Sequence, residues 1–319
     1  MSNKNCITFA TANLFNFVAP PGAYYDFENI YSLDDWQDKL TWTKSQLEQL
    51  APDVIGLQEV FSIEETKAFF TTMGYQHFAS VDTPHIEGDY IYSRPVVAIA
   101  SRFPIESYEA VTFDKETLNA FGDFSAPPFS RKPVRAIIVH PIIGHIAIYV
   151  THLKSQRPAD SESPADADAS KPIARWLSTQ QRGWEAAMLR DAMQKQYVRD
   201  SMPTVLMGDM NQAITPTSVN KVLIEHYGDS VTDLQLNDGW ELQVAPTLEP
   251  RPATHYHFAK GNVLDYILLS QEFDAHADIS IAEVTRYEVL DAHLINPSFE
   301  RDKNASDHAF VALTVEIKL

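Results

Sequence analysis

Apolar residues in this chain gather into short, dense runs separated by polar punctuation. Ile7 to Leu14, Val54 to Val60, Val96 to Ala100, Arg135 to His140, Ile146 to Leu153, the run around Leu206, Val263 to Leu269 and Ala309 to Ile317 each predict a strand. Leu40, Thr43, Leu47 and Leu50 recur at helical spacing behind Ser32, with Asp34 and Asp35 in the first turn, and Pro52 closes the segment. That is a capped helix. Ile63 to Met73 predicts a second helix, ended by Gly74, and Trp176 to Val198 a long third one. Phe17 to Leu33 holds Pro20, Pro21 and Gly22 and reads as an ordered loop near the end of the first strand. Ser155 to Lys171 has no apolar periodicity and is rich in Asp, Ala, Ser and Pro. It predicts a mobile surface insert. No internal repeat or shift in composition marks a second domain, so residues 1–319 are expected to form one. Strands interleaved with a few helices point to two packed sheets flanked by helices.

The ends of these strands carry the chemistry. Val205-Leu206-Met207-Gly208-Asp209-Met210-Asn211-Gln212 is an apolar run that stops at glycine and continues as acid-x-amide. Period-2 geometry puts Asp209 and Asn211 on one side of the chain. Read alone, Gly-Asp-x-Asn fits a tight turn. The other strand ends are Asn13, Gln58-Glu59, Thr151-His152 and Asp265, and Ser306-Asp307-His308 precedes the last strand. Each also has a bland reading: Glu59 as a helix-capping acid, His152 as a core histidine, Asp265 as a surface acid, Asp307-His308 as a turn. Five such endings and a sixth polar unit in one chain are better explained by one shared site.

In order, Asn, Gln-Glu, Thr-His-Leu, Gly-Asp-x-Asn, Leu-Asp-Tyr-Ile and Ser-Asp-His resemble the signature of the endonuclease/exonuclease/phosphatase superfamily. The resemblance spans residues 7–317. It implies an α/β fold, a four-layer α/β/β/α sandwich of two packed mixed sheets flanked by helices. It also implies a divalent-metal-dependent phosphoester hydrolase in which activated water attacks phosphorus in line. By that resemblance Glu59 is the principal ligand of Mg2+ (or Mn2+), with Asn13 beside it and Asp307 possible in the shell. A strand-end carboxylate suits Mg2+, which takes few carboxylates and keeps waters and substrate phosphate. Asp265 becomes the carboxylate partner of His308, whose imidazole titrates near neutrality. Asp209 orients or deprotonates the water, or protonates the leaving oxygen. Asn211 hydrogen-bonds charge developing on phosphoryl oxygens. His152 contacts phosphate.

Substrate contacts are less marked. Arg94, Arg102, Arg131 and Arg135 each have the fork that clamps a phosphate, and Arg135 is the candidate substrate contact. His255 and His257 alternate onto one face just before the Asp265 strand and are candidate substrate contacts. As a zinc site that pair lacks a third ligand at suitable spacing.

Charge bears on the partner. Lys and Arg number 25 and Asp and Glu 43, a net charge of −18. Such a field repels polyanions at long range, so extended nucleic acid is disfavoured and a compact phosphorylated substrate expected. The alternatives are an endo- or exonuclease and, from another class, a catalytically silent binding module. Silent relatives lose a carboxylate or the histidine, and here Glu59, Asp209, Asn211, Asp265, Asp307 and His308 are all present. A single cysteine, Cys6, allows no intrachain disulfide. No basic n-region followed by an apolar h-region opens the chain, and no apolar run approaches the ~18 residues of a membrane span. A cytoplasmic location is expected.

Overall fold

The computed structural model describes residues 5–114, 116–119, 122, 126–159, 171–226, 232–245 and 249–318. Two six-stranded mixed sheets carry the fold. The first runs β16 (Ala282–Leu290), β17 (Phe310–Ile317), β1 (Cys6–Phe17), β3 (Val54–Val60), β7 (Val96–Ser101), β4 (His77–Ala79). The second runs β12 (Asn237–Asp238), β15 (Asp265–Leu269), β11 (Thr204–Asp209), β10 (Gly144–His152), β9 (Val134–His140), β8 (Ile105–Ala110). Two small sheets sit beside them: the hairpin β13 (His255–His257) with β14 (Lys260–Asn262), and β2 (Ala23–Tyr24) with β6 (Ile91–Ser93) and β5 (His85–Glu87). The helices are α1 (Leu33–Leu50), α2 (Ile63–Thr72), α3 (Glu116–Asn119), α4 (Lys171–Arg199) and α5 (Ala292–Ile295).

Three cores stack these layers. Ile7, Phe9, Val54 and Ile99 of the first sheet meet Ile148, Val205, Met207 and Ile267 of the second. On the far face of the first sheet, Ala12, Leu57 and Ala98 pack on Trp36 and Leu47 of α1 and Phe70 of α2. On the far face of the second, Tyr149, Leu206 and Leu268 pack on Ala186, Leu189 and Met193 of α4. The order is α/β/β/α, as the resemblance implies. Central strands buried on both faces read as continuous apolar runs, which is why the pattern found them. Truncating one of these side chains, such as Leu189 to Ala, removes about 2–5 kcal/mol. Ser32 caps α1 as expected, its side chain accepting from the Asp35 N–H at 3.0 Å, a contact worth about 1 kcal/mol.

Most boundaries fall within two residues of expectation, and four places differ in a way that bears on the fold. β1 continues past Asn13 to Phe17, passing through Phe15 and Asn16 in left-handed conformation. The stretch expected as loop after it contains β2, paired in parallel with β6. α4 starts at Lys171, five residues earlier than the apolar periodicity shows. The last strand of the second sheet starts at Asp265, because the preceding residues fold back as β14. Of the expected insert at 155–171, residues 160–170 lie outside the described residues; 155–159 have no regular structure and Lys171 opens α4. Among the described residues, no helix is long and apolar enough to cross a membrane.

Candidate active site

Strand register builds one side of the site. The parallel β10–β11 ladder sets His152 opposite Asp209, and the antiparallel β11–β15 ladder sets Asp209 opposite Asp265. All three share the parity of Val150, Met207 and Ile267, which face the inter-sheet core. They therefore stand in one row at the rim of the sandwich. Asn13 reaches across from β1, its Nδ2 donating to Asp209 Oδ2 at 3.2 Å. Gly208 is needed for packing rather than to end the strand, since β11 runs on through Asp209. A Cβ there would lie 1.9 Å from the Thr151 carbonyl oxygen, and its φ is 150°.

Asp209 is the hub. Its Oδ1 accepts from the Asn211 N–H at 2.7 Å. Its Oδ2 lies 3.4 Å from His152 Nε2 and 3.8 Å from His308 Nε2. Burial pushes Asp209 up to about 7, with the Asp265 and Glu59 charges adding and His308 opposing. His308 pairs through Nδ1 with Asp265 Oδ2 at 2.8 Å. Burial works against its charge, but the Asp265 and Asp209 carboxylates outweigh it and hold the imidazolium well above the ordinary histidine range. His152 goes the other way: burial, reinforced by Arg131 and His308, holds it well below that range and neutral. Thr254 Oγ1 accepts from the Leu264 and Asp265 N–H groups at 2.9 and 3.1 Å and fixes the start of β15.

Asn211 is placed differently from expectation. Its residue is left-handed, with φ 53°. Its Nδ2 donates to the Leu153 carbonyl at 2.9 Å and to Asp209 Oδ2 at 3.3 Å. The amide hydrogens are thus taken by the turn that fixes Asp209 and are not free for a phosphoryl oxygen.

The first sheet reaches the site through irregular backbone. The β1–β3 ladder loses register after Asn13, and the β3–β7 ladder between Leu57 and Val60. Glu59 lies in that second bulge with φ 58°, its Oε2 accepting from the Asn16 N–H at 2.9 Å. Ser306 Oγ donates to the Asn13 carbonyl at 2.7 Å and accepts from the His308 N–H at 3.0 Å, which pins the Asp307 loop to β1. Asp307 Oδ1 is buried with no hydrogen-bond partner. Glu59 and Asp307 both act on Tyr25, Tyr31 and the buried Lys39, so they share one neighbourhood. Burial pushes the Lys39 ammonium down to about 8, with those two carboxylates opposing. Two carboxylates whose charges act on the same three side chains, one of them with an unsatisfied oxygen, suit a hard divalent cation. Glu59 and Asp307 are the groups that would hold it, with Asn13 beside them, its Oδ1 accepting from the Phe15 N–H at 3.0 Å.

Arg135 does not join the site. It has the parity of Ile137, opposite Tyr149, on the α4 face of the second sheet, and pairs with Glu109 at 2.8 Å. Both faces of β9 are apolar, so sequence parity could not tell inward from outward. Arg102 donates to the Pro52 carbonyl and stacks on Tyr75, and Arg94 is exposed. Arg131 is the arginine whose charge acts on His152, and its Nε and Nη1 are buried without hydrogen-bond partners. Its loop is held by Glu185 of α4, 1% exposed, which accepts from the Ser130 and Lys154 N–H groups, each at 2.7 Å. A carboxylate on the apolar stripe of α4, next to Ala186 and Leu189, is the sequence signal for that clamp. His255 packs beside His308 with ring centroids 4.9 Å apart and planes tilted by 46°, while His257 is exposed toward the hairpin tip.

The sequence profile of the Endonuclease/Exonuclease/phosphatase family matches residues 10–308. No curated protein matches the chain. The fold is that of several solved structures. The human Nocturnin catalytic domain with bound sulfate anion has 16% identity and a TM-score of 0.60, over 98% of this chain and 95% of that one. An AP endonuclease from Archaeoglobus fulgidus has 17% identity and a TM-score of 0.57, over 98% and 100%. An endonuclease/exonuclease/phosphatase from Beutenbergia cavernae has 18% identity and a TM-score of 0.53, over 98% and 72%. With the profile covering nearly its whole length, the chain belongs to the endonuclease/exonuclease/phosphatase family and is a metal-dependent phosphoesterase.

Proposed function

We propose that the protein hydrolyses a compact substrate carrying one or two phosphates, with Mg2+ or Mn2+ held at Glu59, Asp307 and Asn13. The observation that carries this reading is the buried His152–Asp209–Asp265–His308 cluster at the rim shared by both sheets. Asp209, with a proton affinity near neutrality, exchanges a proton with the attacking water or the leaving oxygen. Asn211 and Asn13 hold its carboxylate in place. His308, kept cationic by Asp265, offers positive charge to the phosphoryl oxygens. His152 stays neutral and donates or accepts through nitrogen beside them. Arg131 brings an unspent guanidinium fork, whose shape matches phosphate. A cation held by Glu59 and Asp307 would supply charge neutralisation and a template for the phosphate.

Two things support a small substrate. The net charge is −18, and Arg135 and Arg102 are engaged away from the site. A nuclease acting on long duplex DNA neutralises several phosphates and shows a salt slope of roughly −0.9 per phosphate. Turnover of small phosphoesters and of long duplex DNA, each at rising salt, separates the readings. The expected result is turnover of the small esters with a shallow slope. Efficient duplex cleavage with a slope of several units would replace this substrate class by nucleic acid.

A further inference from the structure

The β13–β14 hairpin carries one histidine into the site and leaves the other outside. His255 forms an isolated antiparallel bridge with His308, far away in sequence. The ligand atoms of His255, Asp307 and His308 all lie within 4.8 Å of one another. His255 thus meets two further ligands from across the chain, and His257 is not part of the group.

Three features make this group more than a chance meeting. His308 spends Nδ1 on Asp265 Oδ2 at 2.8 Å, so Nε2, 3.8 Å from Asp209 Oδ2, is the nitrogen that takes the metal when the ion displaces its proton. A carboxylate behind an imidazole is the supporting partner that metal-bound histidines carry; it fixes the tautomer and makes the other nitrogen a better donor. Asp307 Oδ1 is buried and unsatisfied. Two imidazoles and a carboxylate suit a borderline cation such as Zn2+ or Co2+, and three protein ligands leave a fourth position open. Mg2+ prefers oxygen and gains little from the two nitrogens.

We propose that His255, Asp307 and His308 form a site for a borderline divalent cation of the Zn2+ class, which shares Asp307 with the oxygen-rich position at Glu59 and differs from it by two imidazole nitrogens. Occupancy inhibits hydrolysis, because the ion takes Nε2 of His308 and an oxygen of Asp307 out of the reaction. The inhibition rests on the function proposed above; the binding does not.

The test is calorimetric titration of the metal-stripped full chain with Zn2+ in excess Mg2+, for wild type, His255→Asn and His257→Asn. Wild type and His257→Asn should bind Zn2+ alike. His255→Asn should bind at least about tenfold more weakly, since loss of even a supporting group costs roughly 10–100-fold in metal affinity. Co2+ in place of Zn2+ should give visible absorption that changes in His255→Asn and not in His257→Asn. No Zn2+ binding by wild type, or equal affinity in wild type and His255→Asn, overturns the site. Zn2+ binding that depends on His255 but leaves phosphoester hydrolysis untouched overturns the inhibition. A chain that hydrolyses no phosphoester yet binds Zn2+ through His255 refutes the proposed function and sustains the site.

Discussion

The two sheets arrive at the site in opposite ways. The second delivers His152, Asp209 and Asp265 from three neighbouring strands in unbroken register. The first delivers Glu59 from a bulge and from left-handed backbone, immediately beside a second bulge after Asn13. Regular pairing fixes side chains relative to one another and buries them, which is how Asp209 comes to sit near neutrality. A bulge instead re-aims one carboxylate out of the pleat. Here Glu59 and Asp307 share a neighbourhood, and Asp307 keeps an unsatisfied oxygen. On the proposed function, one half moves protons and the other holds a cation.

The largest expected effect comes from breaking the regular half at its charged pair. Asp265→Asn and His308→Ala should each lower kcat by roughly 10²–10⁴-fold. The double variant should cost little more than either single one, because residues that act as a unit are not additive. Strictly additive losses would separate the two residues.

A smaller effect should distinguish the two arginines. Arg131→Ala should raise KM roughly 10–100-fold, the worth of a charged hydrogen bond of about 1.5–3 kcal/mol. Arg135→Ala removes a contact with exposed Glu109 and should change KM by less than about fivefold. Equal effects would place the phosphate elsewhere.

The smallest effect is on stability. Folding raises the proton affinity of Asp209 from an ordinary 3.8 to about 7. Such a group contributes stability at low pH that is lost as pH rises through the folded value. Asp209→Asn has no such loss. In EDTA, its melting temperature relative to wild type should therefore rise between pH 5 and pH 8, the interval spanning the raised value near 7. A parallel pH dependence in the two proteins would mean that Asp209 titrates normally.

What could be read from sequence follows the same division. Central strands buried on both faces gave strong apolar runs, and their polar ends named His152, Asp209 and Asp265. The edge strands β8 and β16 were not legible, because residues such as Glu106, Glu109, Arg286 and Glu288 interrupt any apolar pattern. The commitment of the Asn211 amide to Leu153 was hidden, since that partner lies in another strand's exit. Arg131 and Arg135 are four residues apart in one basic stretch, and only the sheet's three-dimensional faces separate them. The approach of His255 to Asp307 and His308 depends on a hairpin folding back over the rim, which no local signal announces.

The central claim is that a cation at Glu59 drives phosphoester hydrolysis, and the most direct test is the metal dependence of one variant. Glu59→Gln keeps the shape and a group able to accept from Asn16. Hydrolysis of bis-(p-nitrophenyl) phosphate would be followed while Mg2+ or Mn2+ is titrated into EDTA-treated wild type and variant. The account predicts no activity in EDTA, saturable activation of wild type, and a variant that needs far more metal and turns over orders of magnitude more slowly. Full activity in EDTA, or a Glu59→Gln variant with the wild-type metal curve, would contradict it.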